Sequence, residues 1–410
     1  MNRITTQRPS PDDRDAWITY WQALNQSWRT EPEIDMDRQL YLAQRRKIMP
    51  DIRQGIYPFK DVKLSRADIE WLLATHKNNE QQLKDRGLDL RGADLYQMDL
   101  HGLPLVYMQG GLSGIEWNEA TLEHREMARV HMQGANLRKA HMEGAVLRKA
   151  NLKGANLEGA HMEGADFYRA HLEGAYLRNA YLGGASLRRT FFDSATSFED
   201  VFIQDESLGC ALFADAYWND MHISNVNWVE IKMLGDEYKA QTSKKRHGGL
   251  QNRNENLKDY RKAVRANRQL AAMLQAQGLN EEASRFAYRA QVLQRKVYWH
   301  QRKFRRYLFS LFLGLFTGYG YKPVRSFITY AVVVGIFMII YHSLGIAFGP
   351  PLKWREALVV SMTAFHGRGF FPEQFKPGDP QAFVAAIEAF AGLIIEVTFI
   401  ATLTKRLFGN

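Results

Sequence analysis

Between Leu112 and Phe192 an apolar side chain returns at every fifth residue, through seventeen consecutive positions that include Trp117, Leu122, Met127, Met132 and Leu137. From Ala135 to Ala185 an alanine stands two places before each of them, giving A-x-L-x-x in stretches such as ANLRKAHMEGAVLRKANLKGANLEGA. A period of five is neither the 3.6-residue turn of an α-helix nor the two-residue alternation of a simple strand. A run in another phase precedes it (Leu90, Leu95, Leu100, Leu105), and a phase-shifted run follows (Phe198, Ile203, Leu208, Phe213, Trp218, Ile223, Trp228), making twenty-eight repeats.

Over residues 90 to 228 these repeats resemble the pentapeptide-repeat family. The resemblance implies a right-handed quadrilateral β-helix with four repeats per coil. It places the central Leu, Met or Phe and the small Ala inward, and the other three positions toward water. On that frame the repeats make about seven coils, a rod about 34 Å long at a spacing of about 4.8 Å. Residues twenty apart then stack. Arg129, Lys149, Arg169 and Arg189 form one column, with Arg148 and Arg188 beside it, and Glu123, Glu143 and Glu163 form a column on the neighbouring face. Like charges about 4.8 Å apart repel, so the basic column predicts an anionic ligand or an acidic protein partner, against the alternative of a solvated face whose side chains splay. His141 stacks over His161, while His131 and His171 share another face two coils apart. These histidines sit at outward positions without a carboxylate-plus-histidine chelate spacing, so neither a metal site nor a cofactor is expected.

The 410 residues carry a formal charge of +10 and a single cysteine, Cys210, so no disulfide forms within one chain. Charge alone does not choose among nucleic acid, anionic lipid and acidic protein. Residues 1–85 read as a helical cap for the solenoid of residues 86–231, with a capping box at Ser65-Arg-Ala-Asp68, because an open coil end exposes unpaired edges. Residues 232–256, polar and basic, read as a linker, and residues 257–300 as an α-helical hairpin. Gly278 is its C-terminal stop and Asn280 the next N-cap; Ala263, Leu270, Leu274, Ala283, Ala287, Ala290 and Leu293 form its apolar stripe. The hairpin looks like a single tetratricopeptide-type unit, with a coupling or subunit-contact role.

The last hundred residues differ. Residues 301–322 begin with the basic cluster of RKFRRYLFSLFLGLF and are too short to span a bilayer, which suits a helix lying in the lipid interface. From Phe327 to Phe348 there is no Asp, Glu, Lys or Arg, long enough for a span at about 20 residues. Spans are expected at Ser326–Leu344 and Phe383–Leu403. Lys322 and Arg325 precede the first and Lys405 and Arg406 follow the second, so both outer ends face the cytoplasm and WREALVVSMTAFHGRGFF dips in without crossing.

This order, span, re-entrant helix, loop and span, resembles the pore module of tetrameric cation channels over residues 323–410. The resemblance implies a two-span membrane pore domain with a filter near Thr363, His366, Gly367, Arg368, Gly369 and Phe370. Potassium channels carry T-V-G-Y-G where this chain has Thr363-Ala-Phe-His-Gly-Arg-Gly-Phe-Phe371, and a ring of arginines opposes cations unless neutralised. Glu388 and Glu396 lie eight residues apart, within about 80° of one helix face, with Gly392 between them. Charged groups at membrane depth usually face water or a partner. Glu388 is therefore expected to neutralise Arg368, Glu396 to line the inner pore or form an intersubunit salt bridge, and Gly392 to act as a hinge or a packing contact.

The leading expectation is a homotetrameric, multi-pass bacterial inner-membrane channel for monovalent ions, in contact with membrane lipid, with a cytoplasmic sensing or docking domain. The alternative is a membrane-anchored scaffold that binds a protein partner without conduction. No enzyme motif is present. Soluble pentapeptide-repeat proteins that mimic DNA need an acidic rod, whereas residues 131–190 hold nine Lys or Arg against five Asp or Glu; no nucleic-acid role is expected.

Overall fold

A computed structural model describes residues 8–76, 87–246, 253–316, 318–321, 323–348, 352–367 and 378–408. They divide into two compact units, Met1–Leu279 and Asn280–Asn410.

The first unit opens with helices α1 (Arg14–Ala23), α2 (Met36–Arg46) and α3 (Arg66–Ala74), whose N-termini are capped by the side chains of Asp13, Asp35 and Ser65. The expected capping box at Ser65 and Asp68 is present. Arg66 holds the buried Glu70 at 2.8 Å and donates to the Asp99 and His101 carbonyls at 3.2 Å, which fixes α3 to the first coil. The cap also extends the coil ladder. Lys63 bridges Asp94 in parallel, and Leu64 and Asp94 exchange backbone bonds with Asp94 and Val62, so the first coil's edge is paired.

The coils are held by single parallel bridges, not by long strands. Asp89, Gln109, Val146, Asp166, Ser186 and Leu212 stack in one column, so that column has six rungs where about seven coils were expected. Two departures from even spacing explain the difference. Bridges such as Asn136 to Asn156 join residues twenty apart, but Asp94 pairs with His131, so the chain leaves the stack between Gly110 and Val130. That excursion holds α4 (Glu116–Glu119) and α5 (Leu122–Met127). Leu112, Trp117, Leu122 and Met127 keep the five-residue phase but are not coil positions. Leu112 packs instead with Tyr57, Ala120 and Ala128, and Leu122 is exposed. Later, a hairpin of β1 (Gln204–Asp205) and β2 (Gly209–Cys210) interrupts the last run, leaving Leu208 exposed near its tip.

Within the regular coils the central Leu, Met or Phe and the alanine two places earlier are fully buried from Leu137 to Leu187. Each repeat closes with a turn such as Ala155 N to Leu152 O at 3.0 Å, and the residue before that alanine is left-handed: Gly154 has φ +65° and Lys149 +60°. A Cβ on Gly154 meets nothing within 4 Å. Gly154→Ala therefore isolates the conformational cost, and the expected loss is about 1 kcal/mol in chemical denaturation; an unchanged midpoint would contradict the turn assignment.

The C-terminal end of the solenoid is closed by helices where a linker was expected. Residues 232–256 contain α6 (Gly235–Arg246) and the start of α7 (Arg253–Ala276); residues 247–252 lie outside the described ones. Asp236, fully buried, accepts from Arg188 Nε at 2.7 Å and from the Phe213 and Ala214 amides at 2.6 and 3.0 Å. Gln269 of α7 and Gln277, just past its end, bond the backbone of Asp215, Met221 and Ile223 in the last coil. Gly278 follows α7 at φ +80°, as a C-terminal stop should.

The second unit contains α8 (Asn280–His300), α9 (Phe304–Phe316), a short 3-10 turn (Gly318–Gly320), α10 (Pro323–Phe348), α11 (Trp354–Phe365) and α12 (Pro380–Phe408). The helices expected for the hairpin both form, but α7 clusters with the first unit and α8 with the second.

Candidate functional site

Two helices, α10 and α12, are long and apolar enough to cross a membrane, over Phe327–Leu344 and Pro380–Val397. Only 17% and 22% of these segments is buried, with Phe327, Val332, Ile336, Phe383, Phe390 and Leu393 among the exposed side chains. A soluble protein buries such helices. Helix α9 has the same inverted character: Ser310 and Gly314 face inward against Tyr319, while Phe304, Leu308, Phe309 and Leu315 are exposed.

Helix α11 packs against both long helices and cannot span, since twelve residues extend about 18 Å. Its buried face, Ala357, Val360, Ser361, Ala364 and Phe365, has small residues where helices approach closely. Three helices meet at Glu388, which is fully buried. Tyr341 of α10 donates to its Oε2 at 2.9 Å, and Ser361 Oγ of α11 lies 2.5 Å from Oε1 and 3.0 Å from the Val334 carbonyl. Hydroxyl partners therefore stand at both carboxylate oxygens and pin the three helices together, while the expected pairing of Glu388 with Arg368 falls on a residue outside the described ones. Arg368, Gly369 and Phe370 lie outside the described residues.

Gly392 lies at a close helix contact. Helix α12 runs unbroken through it, and a Cβ there would stand 1.9 Å from the Phe365 carbonyl at the end of α11. His366 caps α11 and Gly367 turns the chain with φ +64°. His366 Nδ1 pairs with Glu396 within this one chain, and both side chains remain partly exposed. Thr363 Oγ1 bonds back to the Val359 and Val360 carbonyls of its own helix at 2.9 and 3.0 Å. The pairing of His366 with Glu396, thirty residues apart, had no signal in the spacing.

The solenoid face departs from a bare column of charges. Arg148 pairs with Asp166 at 2.6 Å, Arg188 with Asp236, and Arg189 approaches Asp215 at 3.9 Å. Asp215 in turn accepts from Arg265 at 2.6 Å, which holds its carboxyl below the ordinary range. Glu126, on the excursion, pairs with Arg129 and Lys149. Arg169 lies 5.8 and 5.7 Å from the rings of Trp117 and Tyr168. Carboxylates brought in from α5, α6 and other coils thus meet Arg129, Arg148, Lys149, Arg188 and Arg189. Glu123 sits in the first turn of α5 and does not stack on Glu143. Glu143 and Glu163 accept from His141 and His161 of their own repeats, a histidine–carboxylate contact not anticipated from the spacing. Cys210 is buried, which pushes its thiol up to about 12.

A model of the pentapeptide repeats, in eight copies, matches residues 126–164 and 165–196. The chain therefore carries a pentapeptide-repeat β-solenoid, and the match ends before the membrane-type helices. Among solved structures it is similar to a pentapeptide repeat protein from the thylakoid lumen of Arabidopsis thaliana (19% identity over 38% of this chain and 74% of that one, TM-score 0.19). It is also similar to one from the cyanobacterium Cyanothece (21% identity, 31% and 91%, TM-score 0.18) and to QnrB1, a plasmid-mediated fluoroquinolone resistance protein (15% identity, 41% and 92%, TM-score 0.21). No curated protein matches the chain.

Proposed function

We propose that the protein is a membrane ion channel, assembled from four copies, whose pore is built from α10, α11 and α12 and whose pentapeptide-repeat unit is a cytoplasmic sensing or docking domain. The carrying observation is α11: a helix too short to span, packed against two helices long enough to do so and tied to them at Glu388. An anchor needs no such element, because one apolar helix suffices to hold a protein in a bilayer. A short helix followed by a turn at Gly367 leaves non-helical backbone at membrane depth, which is tolerated only where it lines water or is buried in protein. The exposed faces of α10 and α12 offer surface for lipid and for neighbouring copies.

Cations suit this geometry better than anions. The C-terminal end of α11 carries a partial negative charge, and Glu396 stands beside it. Planar-bilayer recording of the purified protein in asymmetric KCl is expected to give unitary currents reversing toward the potassium equilibrium potential. Absence of current under varied salts and voltages would favour the membrane-anchored scaffold, and reversal toward the chloride potential would overturn the cation assignment. In the same recordings Glu396→Gln is expected to change conductance or selectivity; identical values would remove Glu396 from the conduction path.

A further inference from the structure

We propose that His141, Glu143 and His161 form a binding site for a divalent transition-metal ion, of the zinc class, that joins two consecutive coils of the solenoid. The site is independent of conduction. Its donor atoms all lie within 4.8 Å of one another.

The sequence repeats a short unit here. A-H-M-E-G-A occurs at residues 140–145 and 160–165, and A-H-L-E-G-A at 170–175. In each, the histidine Nδ1 meets the glutamate Oε1 two residues on: 2.9 Å for His141 and Glu143, 3.2 Å for His161 and Glu163, and 3.0 Å for His171 and Glu173. The coil ladder decides which of these units acquire a second imidazole. The bridge between His141 and His161 stacks their rings 4.9 Å apart with planes nearly parallel, at 6°. His171 has Asn151 on one side and Phe191 on the other, so it remains a single histidine–carboxylate pair.

Two imidazoles and one carboxylate are the donor set that zinc and its neighbours take in open sites with water in the remaining position, whereas calcium and magnesium require oxygen ligands. Bonds of about 2.1 Å put tetrahedral ligand atoms about 3.4 Å apart, so the three side chains must close by about 1.4 Å from their present spread. Side-chain rotation supplies this, because the backbone ladder already fixes the Cα positions. With Nδ1 of His161 on Glu163, its Nε2 is left for the ion, the arrangement in which a supporting carboxylate orients a ligating histidine. Glu143 Oε2 is shielded from solvent without a hydrogen-bond partner, and a cation would satisfy it. The same shielded oxygen recurs at Glu163 and Glu173, so the second imidazole is what singles out this pair.

Ring stacking alone accounts for part of the arrangement. The column continues through Tyr181 and Phe202 at 4.4 and 4.7 Å, so any aromatic ring is accepted there. This gives a clean variant: His161→Phe keeps the stack and removes a ligand. Full-length protein in detergent is titrated with Zn²⁺ against a chromophoric chelator, comparing wild type, His161→Phe, Glu143→Gln and His171→Phe, with unfolding temperatures without metal as the fold control. The first two variants are expected to lose at least about tenfold in Zn²⁺ affinity, as metal sites do on losing even a supporting partner, and His171→Phe none. Equal Zn²⁺ binding by wild type and His161→Phe, or an equal loss in His171→Phe, would overturn the site. If His161→Phe lowers the metal-free unfolding temperature, Glu143→Gln decides alone.

Discussion

Gly392→Ala is expected to separate α12 from the end of α11 and to lower the unfolding temperature of the detergent-solubilised protein. The added Cβ would fall 1.9 Å from the Phe365 carbonyl, and the obstructing atom is backbone, which cannot swing aside. Either α12 shifts as a unit or α11 loses its seat. Overpacking of this kind costs about 1–3 kcal/mol, and more when backbone must move. Gly335→Ala on α10 is the matched control, because its Cβ meets nothing within 4 Å, and alanine favours helix by about 1 kcal/mol. Stability unchanged at Gly392, or lost equally at Gly335, would contradict the close approach of α11 and α12. On the channel reading, the same Gly392 variant abolishes current.

Asp236→Ala is the second large effect, and it acts on the other unit. This carboxylate is fully buried and satisfies three donors at the end of the solenoid: Arg188 and the amides of Phe213 and Ala214. Removing it leaves a guanidinium and two amides without their acceptor. Breaking a buried pair from one side costs about 3–5 kcal/mol, which corresponds to a fall on the order of 10 °C in a unit of this size. Differential scanning calorimetry should show that fall in the transition of the solenoid unit alone. Asp236→Asn, which keeps one acceptor oxygen, should lose less, and a fall below about 2 °C in Asp236→Ala would refute the closing role of α6.

Both residues illustrate where sequence reading stopped. Asp236 stands in a polar, basic stretch that reads as a linker, and nothing local distinguishes it from a solvated acid. Its burial follows from α6 folding back over Phe213, twenty-three residues earlier. Gly392 sits midway between two acids on an apolar helix, a pattern equally suited to a hinge and to packing, and its close neighbour, the Phe365 carbonyl, belongs to another helix. The basic column is a third case. Stacking by twenty correctly groups Lys149, Arg169 and Arg189, but of the carboxylates that answer the basic face Glu126 on the excursion and Asp236 on α6 lie off the column, and Asp215, the rung after Arg189, is reached only through the longer offset that the β1–β2 hairpin creates.

The five-residue period was sufficient for the solenoid, because a central apolar residue and an alanine recur with a spacing that no helix shares, and every such pair from Leu137 to Leu187 is buried. The apolar run from Phe327 to Phe348 was likewise sufficient to mark a helix of membrane length. What only the tertiary structure decided is which in-phase residues are coil. Leu112, Trp117, Leu122 and Met127 keep the period by sequence, yet fold as an excursion, because Gly110 already fills the coil position below Leu147. The partners of Glu388, Glu396 and the solenoid arginines were also beyond the sequence. Periodicity reports which face a residue takes within its own element, whereas an ion pair depends on what another element, distant in the chain, brings opposite it.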